Sequence, residues 1–361
     1  MSTTATTLST QEARRWTRIG LLAACSLLLS YAETFVPIPL PGVKLGLANI
    51  PVLVALGFSD VTGACSIALI KVLAVGLLFG SPLTMGYSLA GTALSLLGMV
   101  PLSRLRTLRM EMLSVAGALL HEMGQLLVAG ALLGVTVACY ASPYLLLAGC
   151  VTGALCGVLA RELLRSFPQE TDMPCMEFHA PEPRRPSGAS LFAFAAFVAF
   201  VGVVFHVSDL RWLALCVAAS LLTFLAAGVG VRSLLRMVPP LALVGVATLL
   251  LQHVAGTSDA LIQTARAMAR LATMALLARA CMRRVPAKDL GGTVAWLVLP
   301  LTRMGVRTQG FLLALDVAVR LMPEASAIVQ AELGRKDRRL TPSELCKLLP
   351  TLVRRLCEVG A

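Results

Sequence analysis

Positive charge in this chain is sorted by position, and that sorting constrains the fold more than any other feature. Ten apolar stretches can be read between residues 17 and 282. With a cytoplasmic N-terminus, the turns after every second stretch are cytoplasmic too. Those turns hold Arg104, Arg106 and Arg109, then Arg161, Arg165, Arg184 and Arg185, then Arg232 and Arg236, then Arg279, Arg283, Arg284 and Lys288. The leader adds Arg14, Arg15 and Arg18, whereas the opposite turns hold only Lys44 and Arg211. Translocation of Lys and Arg is disfavoured, so the bias sets orientation as well as membrane location. It predicts a multi-pass protein of the cytoplasmic membrane with both termini cytoplasmic and the lipid bilayer as a partner.

Composition agrees. Charged residues make up 14% of the chain and hydrophobic ones 57%, against about 25% charged in soluble proteins. Only helices and closed barrels satisfy their backbone in lipid, and a crossing helix needs about 20 apolar residues. The long apolar runs, without alternation, select helices. The expected fold is all-α and polytopic. A formal net charge of +12 might suggest nucleic acid, but no recognition motif or stacking platform accompanies it. Orientation signals and anionic headgroups account for the charge. None of the ten cysteines forms a C-x-x-C pair, and neither a disulfide framework nor a metal site is expected.

Polar segments divide the apolar pattern. Six candidate spans, roughly 17–36, 45–59, 61–80, 83–102, 111–136 and 142–164, form a first domain over residues 1–165. PIPLPGVKLGLAN at 37–49 is too broken for a regular helix and predicts a loop or re-entrant segment over the outer face. Residues 166–189 carry five prolines and read as an extended tether. Residues 190–361 form the second domain, with spans near 190–207, 210–230, 235–254 and 260–282. Beyond 288 charges interrupt the apolar pattern, and 308–333 is expected at the cytoplasmic boundary, with Asp316 and Arg320 paired one turn apart. Thr341, Pro342 and Glu344 open an amphipathic helix striped by Leu345, Leu348, Leu349, Leu352, Val353 and Leu356. It suits headgroups or a docking partner.

Ionisable groups inside spans cost on the order of 2.5–3.5 kcal/mol at mid-bilayer, so they mark candidate sites. Glu33, Lys71, His121 and Glu122 are those of the first half; His121 and Gln125 share a helix face, Asn49 opens the second span, and Tyr87 and Ser88 lie in the fourth. Such groups either hydrogen-bond between helices or line a pocket. The pocket reading takes Asn49, Lys71, Tyr87, His121, Glu122 and Gln125 as ligand-binding, with Lys71 facing an anionic group. HEMGQ at 121–125 has Gln125 where a zinc-protease helix needs its second histidine. Arg266 and Arg270, four apart in the tenth span, would snorkel or pair with Asp316 or Glu324. No phosphate-binding G-x-x-x-x-G-K-[ST], aspartate-rich magnesium cluster or nucleophile elbow is present. Catalysis by this chain is not expected, nor is a bound cofactor.

Three motifs carry a resemblance: PGVKLGLANI at 41–50, LLFGSPLTMGYSLAGTALSLL at 77–97 and VAGALLHEMGQLLVA at 115–129. Together they resemble the Gx transporter family, also labelled heptaprenyl diphosphate synthase component I, over roughly residues 15–165. That family is similar to the substrate-binding S components of energy-coupling-factor (ECF) transporters. Its typical member has Asn where Glu122 stands. LATMALLARACMRRVPAKDLGGTVAWLVLPLTRMGV at 271–306 and LALDVAVRLMPEASAIVQAE at 313–332 resemble the CbiQ-like T component of the same transporters. T components carry Ala-Arg-Gly coupling signatures, and the corresponding place here reads AELGRK at 331–336. The resemblance implies an importer subunit that binds a small molecule and couples to cytoplasmic ATP-binding-cassette ATPases, which would hydrolyse the ATP. Arg335, Arg338 and Arg339, with Leu345, Leu349 and Leu352, would contact them. The first family's label also implies an alternative, a non-catalytic component of polyprenyl diphosphate or quinone synthesis. A scaffold for flavin-linked redox proteins is a third.

Overall fold

The computed structural model describes residues 9–33, 44–78, 82–105, 107–166, 206–283 and 308–334, with scattered positions between 188 and 204 and at 296. The tether, His179, Arg106, Arg184, Arg185, Arg284, Lys288 and the coupling set from Arg335 to Leu352 lie outside the described residues. Every regular element among the described residues is a helix.

Helix α1 (Thr10–Glu33) opens on a capping box. Ser9 Oγ accepts the Glu12 amide at 3.2 Å, and Glu12 accepts the Ser9 amide at 3.1 Å. Every residue from Trp16 to Leu29 is buried, so α1 is enclosed by protein on all sides. A short 3-10 turn (Leu47–Asn49) runs into α2 (Ile50–Gly57), and α3 (Val61–Leu78) follows. Residues 47–60 run antiparallel to α1 and are tied to it at both ends. Glu33 accepts the Leu47 amide at one end, and Arg15 grips Asp60 at the other. Between them Ser26 Oγ donates to the Ala48 carbonyl at 2.6 Å. Gly46, at φ +75°, turns the chain into the 3-10 segment in a conformation that disfavours side chains.

Helices α4 (Pro82–Ser103), α5 (Met110–Leu133) and α6 (Val135–Ser166) form a second layer. Close approach here rests on glycine. Gly149, Gly153 and Gly157 make a stripe on α6, where added Cβ atoms would stand 3.2 Å from Glu122, 2.9 Å from Ala118 and 2.5 Å from Glu111 of α5. On the other face of α5, an added Cβ at Gly124 would stand 2.5 Å from the Ala90 carbonyl of α4. The layers share one end: Gly57, closing α2, abuts Leu164 and Met110, and Arg161 pairs with Glu111 at 2.5 Å.

The second half supplies α7 (Leu210–Ala226), α8 (Val231–Val254), α9 (Ala260–Met282) and α10 (Gln309–Gly334). Asp209 caps α7 by accepting the Arg211 amide at 2.9 Å. Leu271 and Met274 of α9 meet Leu213 of α7 and Leu132 of α5 in one apolar cluster.

One expectation is corrected: α10 was expected at the membrane boundary. Leu313, Ala314, Leu315, Val317, Ala318 and Leu321 instead enter the core of the six-helix unit. The helix runs alongside α1 in the same direction, with Gly310 against Trp16 and with Ala314 and Val317 against Gly20. Small residues at 310, 314 and 318 make this approach possible. The Asp316–Arg320 pair forms at 3.0 Å. The ten spans are met in part. Among the described residues, four stretches are long and apolar enough to cross a membrane: 84–103, 110–133, 135–165 and 231–254. The 45–59 stretch yields only the 3-10 turn and α2, too short at about 1.5 Å per residue to cross alone. Hydropathy does not distinguish a helix wrapped in protein from one wrapped in lipid.

Candidate functional site

A cavity of about 400 Å³ lies between the two layers, within the range of small-molecule sites. One wall comes from α1, the 44–49 segment and α3; the other comes from α4, α5 and α6. It reaches from Glu33 and Lys44, at the end opposite the arginines, inward to Ser95, Met99 and Ser114.

Asn49, Lys71, His121, Glu122 and Gln125 all line this space. Lys71, 7% exposed, donates its ammonium to Asn49 Oδ1. The 3-10 turn that Glu33 caps places the Asn49 amide there, and the Glu33 carboxylate interacts electrostatically with Lys71. Gln125 Nε2 lies 3.2 Å from His121 Nε2, one turn away on α5, while the imidazole hydrogen-bonds the Gly91 backbone. Gly91 is what admits the ring, since a Cβ there would stand 2.9 Å from Cε1. On the same helix Glu122 turns toward α6, where Gly149 makes room for its stem. Its Oε2 is buried and has no hydrogen-bond partner among the described residues.

Tyr87 is not part of this lining. Its ring packs with Val128, Leu132 and Met268, at the contact of α4 and α5 with α9. Ser30, Lys44, Ser95, Ser114, Thr152 and Cys156, absent from the predicted set, also line the cavity. Cys156 also donates to the Leu45 carbonyl at 3.3 Å, tying α6 to the outer segment. The recurring Gly-x-x-x-Gly of 149–157 was the legible signal, because it sets α6 against α5 and brings Thr152 and Cys156 inward. Among the described lining residues the only aromatic ring is the His121 imidazole.

Outside the cavity, Arg270 Nη2 donates to the Val207 carbonyl at 2.9 Å rather than to a carboxylate. Asp316 is engaged by Arg320, and the Glu324 side chain lies outside the described residues. Among the described residues no group of three His, Cys, Asp or Glu side chains is placed to hold a metal ion.

Fold and site together define an all-helical membrane-type protein whose first six helices enclose a polar cavity. Residues 22–163, the part that builds this cavity, match the family described as heptaprenyl diphosphate synthase component I. No curated protein and no solved structure matches the chain.

Proposed function

We propose that this chain is the membrane subunit of an ECF-type importer. The six-helix half captures a small polar molecule from the outer side, and the second half couples it to ATPases supplied by other chains. The observation that carries this reading is the cavity: charged, amide and hydroxyl groups gathered inside an otherwise apolar unit and extending to the exposed Lys44 at the end away from the arginines. Burying so many polar groups is costly unless a ligand or a neighbour satisfies them. The contact of α10 along α1 supports coupling, because α1 also carries Ser30 and Glu33 into the cavity wall. This chain performs no catalysis in this scheme and binds no cofactor of its own.

A second reading follows from the family description, a non-catalytic component of heptaprenyl diphosphate synthesis. A polyprenyl tail calls for a long apolar cleft, and the charged and amide groups set among the apolar lining residues favour the importer. Affinity purification of the full chain from its own membranes separates the two. Co-purification of ATP-binding-cassette ATPases, lost on deleting residues 340–361, is the expected result. Recovery of a prenyl synthase with aspartate-rich motifs in their place would overturn it.

A further inference from the structure

The charges inside the cavity are split between its walls, and the split specifies a ligand. Lys71 stands on the α3 wall. Its ammonium has three donors and, among the described residues, one hydrogen-bond acceptor, Asn49. Glu122 stands on the α5 wall with a buried oxygen that has no partner among the described residues. The other two charges nearby belong to the Lys71 wall and soften this separation without removing it. Glu33 is engaged by the Leu47 and Ala48 amides and acts on Lys71, and Lys44, exposed, acts on Glu122 through space. The four formal charges cancel, leaving a cavity that is neutral overall but dipolar across its width.

A lone cation in this space would meet Lys71, and a lone anion would meet Glu122. A neutral polyol would offer no charge to either Lys71 or Glu122, the costlier arrangement for groups drawn out of water. A molecule carrying both charges satisfies both walls at once.

We propose that the cavity takes a small zwitterion, its cationic nitrogen on Glu122 and its carboxylate or phosphate on Lys71 beside Asn49. This rests on the binding reading above and narrows it to a chemical class.

Full-length protein in nanodiscs is equilibrated by dialysis with an equimolar probe mixture, and the retained molecules are measured by mass spectrometry. The zwitterions are 6-aminohexanoate and phosphocholine. Hexylamine, hexanoate, glycerol 3-phosphate and myo-inositol represent single charges and none. At least one zwitterion should be retained tenfold or more over its single-charge counterparts. Glu122→Gln and Lys71→Met should each remove that retention, and Glu122→Asp should restore part of it, which separates lost charge from lost folding. The proposal is overturned if a single-charge or neutral probe is retained equally well, if Glu122→Gln changes nothing, or if no zwitterion is retained. None of these outcomes touches ATPase co-purification, which tests the importer reading separately.

Discussion

Arg15 holds Asp60 through two hydrogen bonds, Nε to Oδ2 at 2.9 Å and Nη2 to Oδ1 at 2.6 Å. The pair joins the first turns of α1 to the turn between α2 and α3. Asp60 also caps α3 by accepting the Gly63 amide at 2.7 Å, and Arg18 lies 3.9 Å from Oδ2 while stacking over Phe58. Burial alone would push the Asp60 carboxyl up. The Arg15 hydrogen bond, the Gly63 amide and the charges of Arg15 and Arg18 outweigh it and hold the carboxyl below its ordinary value.

Asp60→Asn isolates the charge, since an amide oxygen can still cap. Thermal unfolding in detergent at pH 7 should show a loss of about 1.5–3 kcal/mol, the range for hydrogen bonds to charged groups. The sign of the pH dependence follows from the lowered value. The contribution is fully present above the ordinary carboxylate range, about pH 4, and is lost as pH falls through the lower folded value. The gap between wild type and variant should therefore stay flat from pH 8 to about 5 and close below about 4. A gap that widens on acidification would contradict this account.

Gly20 is the contact point of α1 and α10. A Cβ there would stand 2.7 Å from Val317 Cβ and 3.2 Å from the Ala314 backbone. Gly20→Val should overpack this seam and destabilise by about 1–3 kcal/mol. Gly86→Val is the contrast, because no atom lies within 4 Å of a Cβ there. Equal melting points for the two variants would mean that α10 does not seat on α1.

Much of the cavity was legible in the sequence because polar groups inside apolar runs are costly and therefore conspicuous. Asn49, Lys71, His121, Glu122 and Gln125 stood out on that ground, and all five face one space. Tyr87 stood out by the same logic, yet a tyrosine has enough apolar ring to pack in a cluster, as it does against α9. Serines and threonines such as Ser95 and Thr152 carried no comparable signal, since hydroxyls also satisfy themselves on their own helix, as Thr152 does with the Gly149 carbonyl at 3.4 Å. Placement of α10 was not legible. The Asp316–Arg320 pair was expected and forms, but nothing in the pattern showed that the opposite face, Leu313 to Leu321, enters the core.

Gly153 tests the glycine stripe. Its Cβ would meet the Val115 Cα at 3.0 Å and the Ser114 carbonyl at 3.2 Å, backbone atoms that cannot swing away. Gly153→Leu should separate α6 from α5, lowering the melting temperature. Because Thr152 and Cys156 would move with the helix, ligand retention should fall as well. Retained binding in a destabilised protein would show that α6 closes the bundle without shaping the cavity.

Gly91→Ala addresses the site with a smaller perturbation. The added methyl would collide with the His121 ring and with its carbonyl oxygen at 2.9 Å. The imidazole must tilt, which breaks its contact with Gln125. Retention should weaken by about tenfold, roughly 1.4 kcal/mol. His121→Asn would keep a polar group and relieve the ring clash while leaving the carbonyl contact, so the double variant should recover part of the binding lost in Gly91→Ala. If it binds no better, the ring is not what Gly91 accommodates.

The last prediction concerns orientation. Antiparallel packing puts Arg15, Asp60, Arg104, Glu111 and Arg161 at one end of the six-helix unit, joined by the Arg15–Asp60 and Arg161–Glu111 pairs. Lys44 and Glu33 line the cavity at the other end, and Lys44 is exposed there. Arginine-rich ends stay on the cytoplasmic side, so ligand should enter from outside. In a background stripped of native cysteines, Lys44→Cys and Ser258→Cys should react with a membrane-impermeant maleimide added to intact cells. Arg104→Cys, whose site is exposed at the arginine end, should react only after the membrane is opened. Labelling of position 104 from outside would invert the unit and turn the cavity toward the cytoplasm. A capture role would then give way to a cytoplasmic binding role, which is the arrangement the synthase-component reading requires.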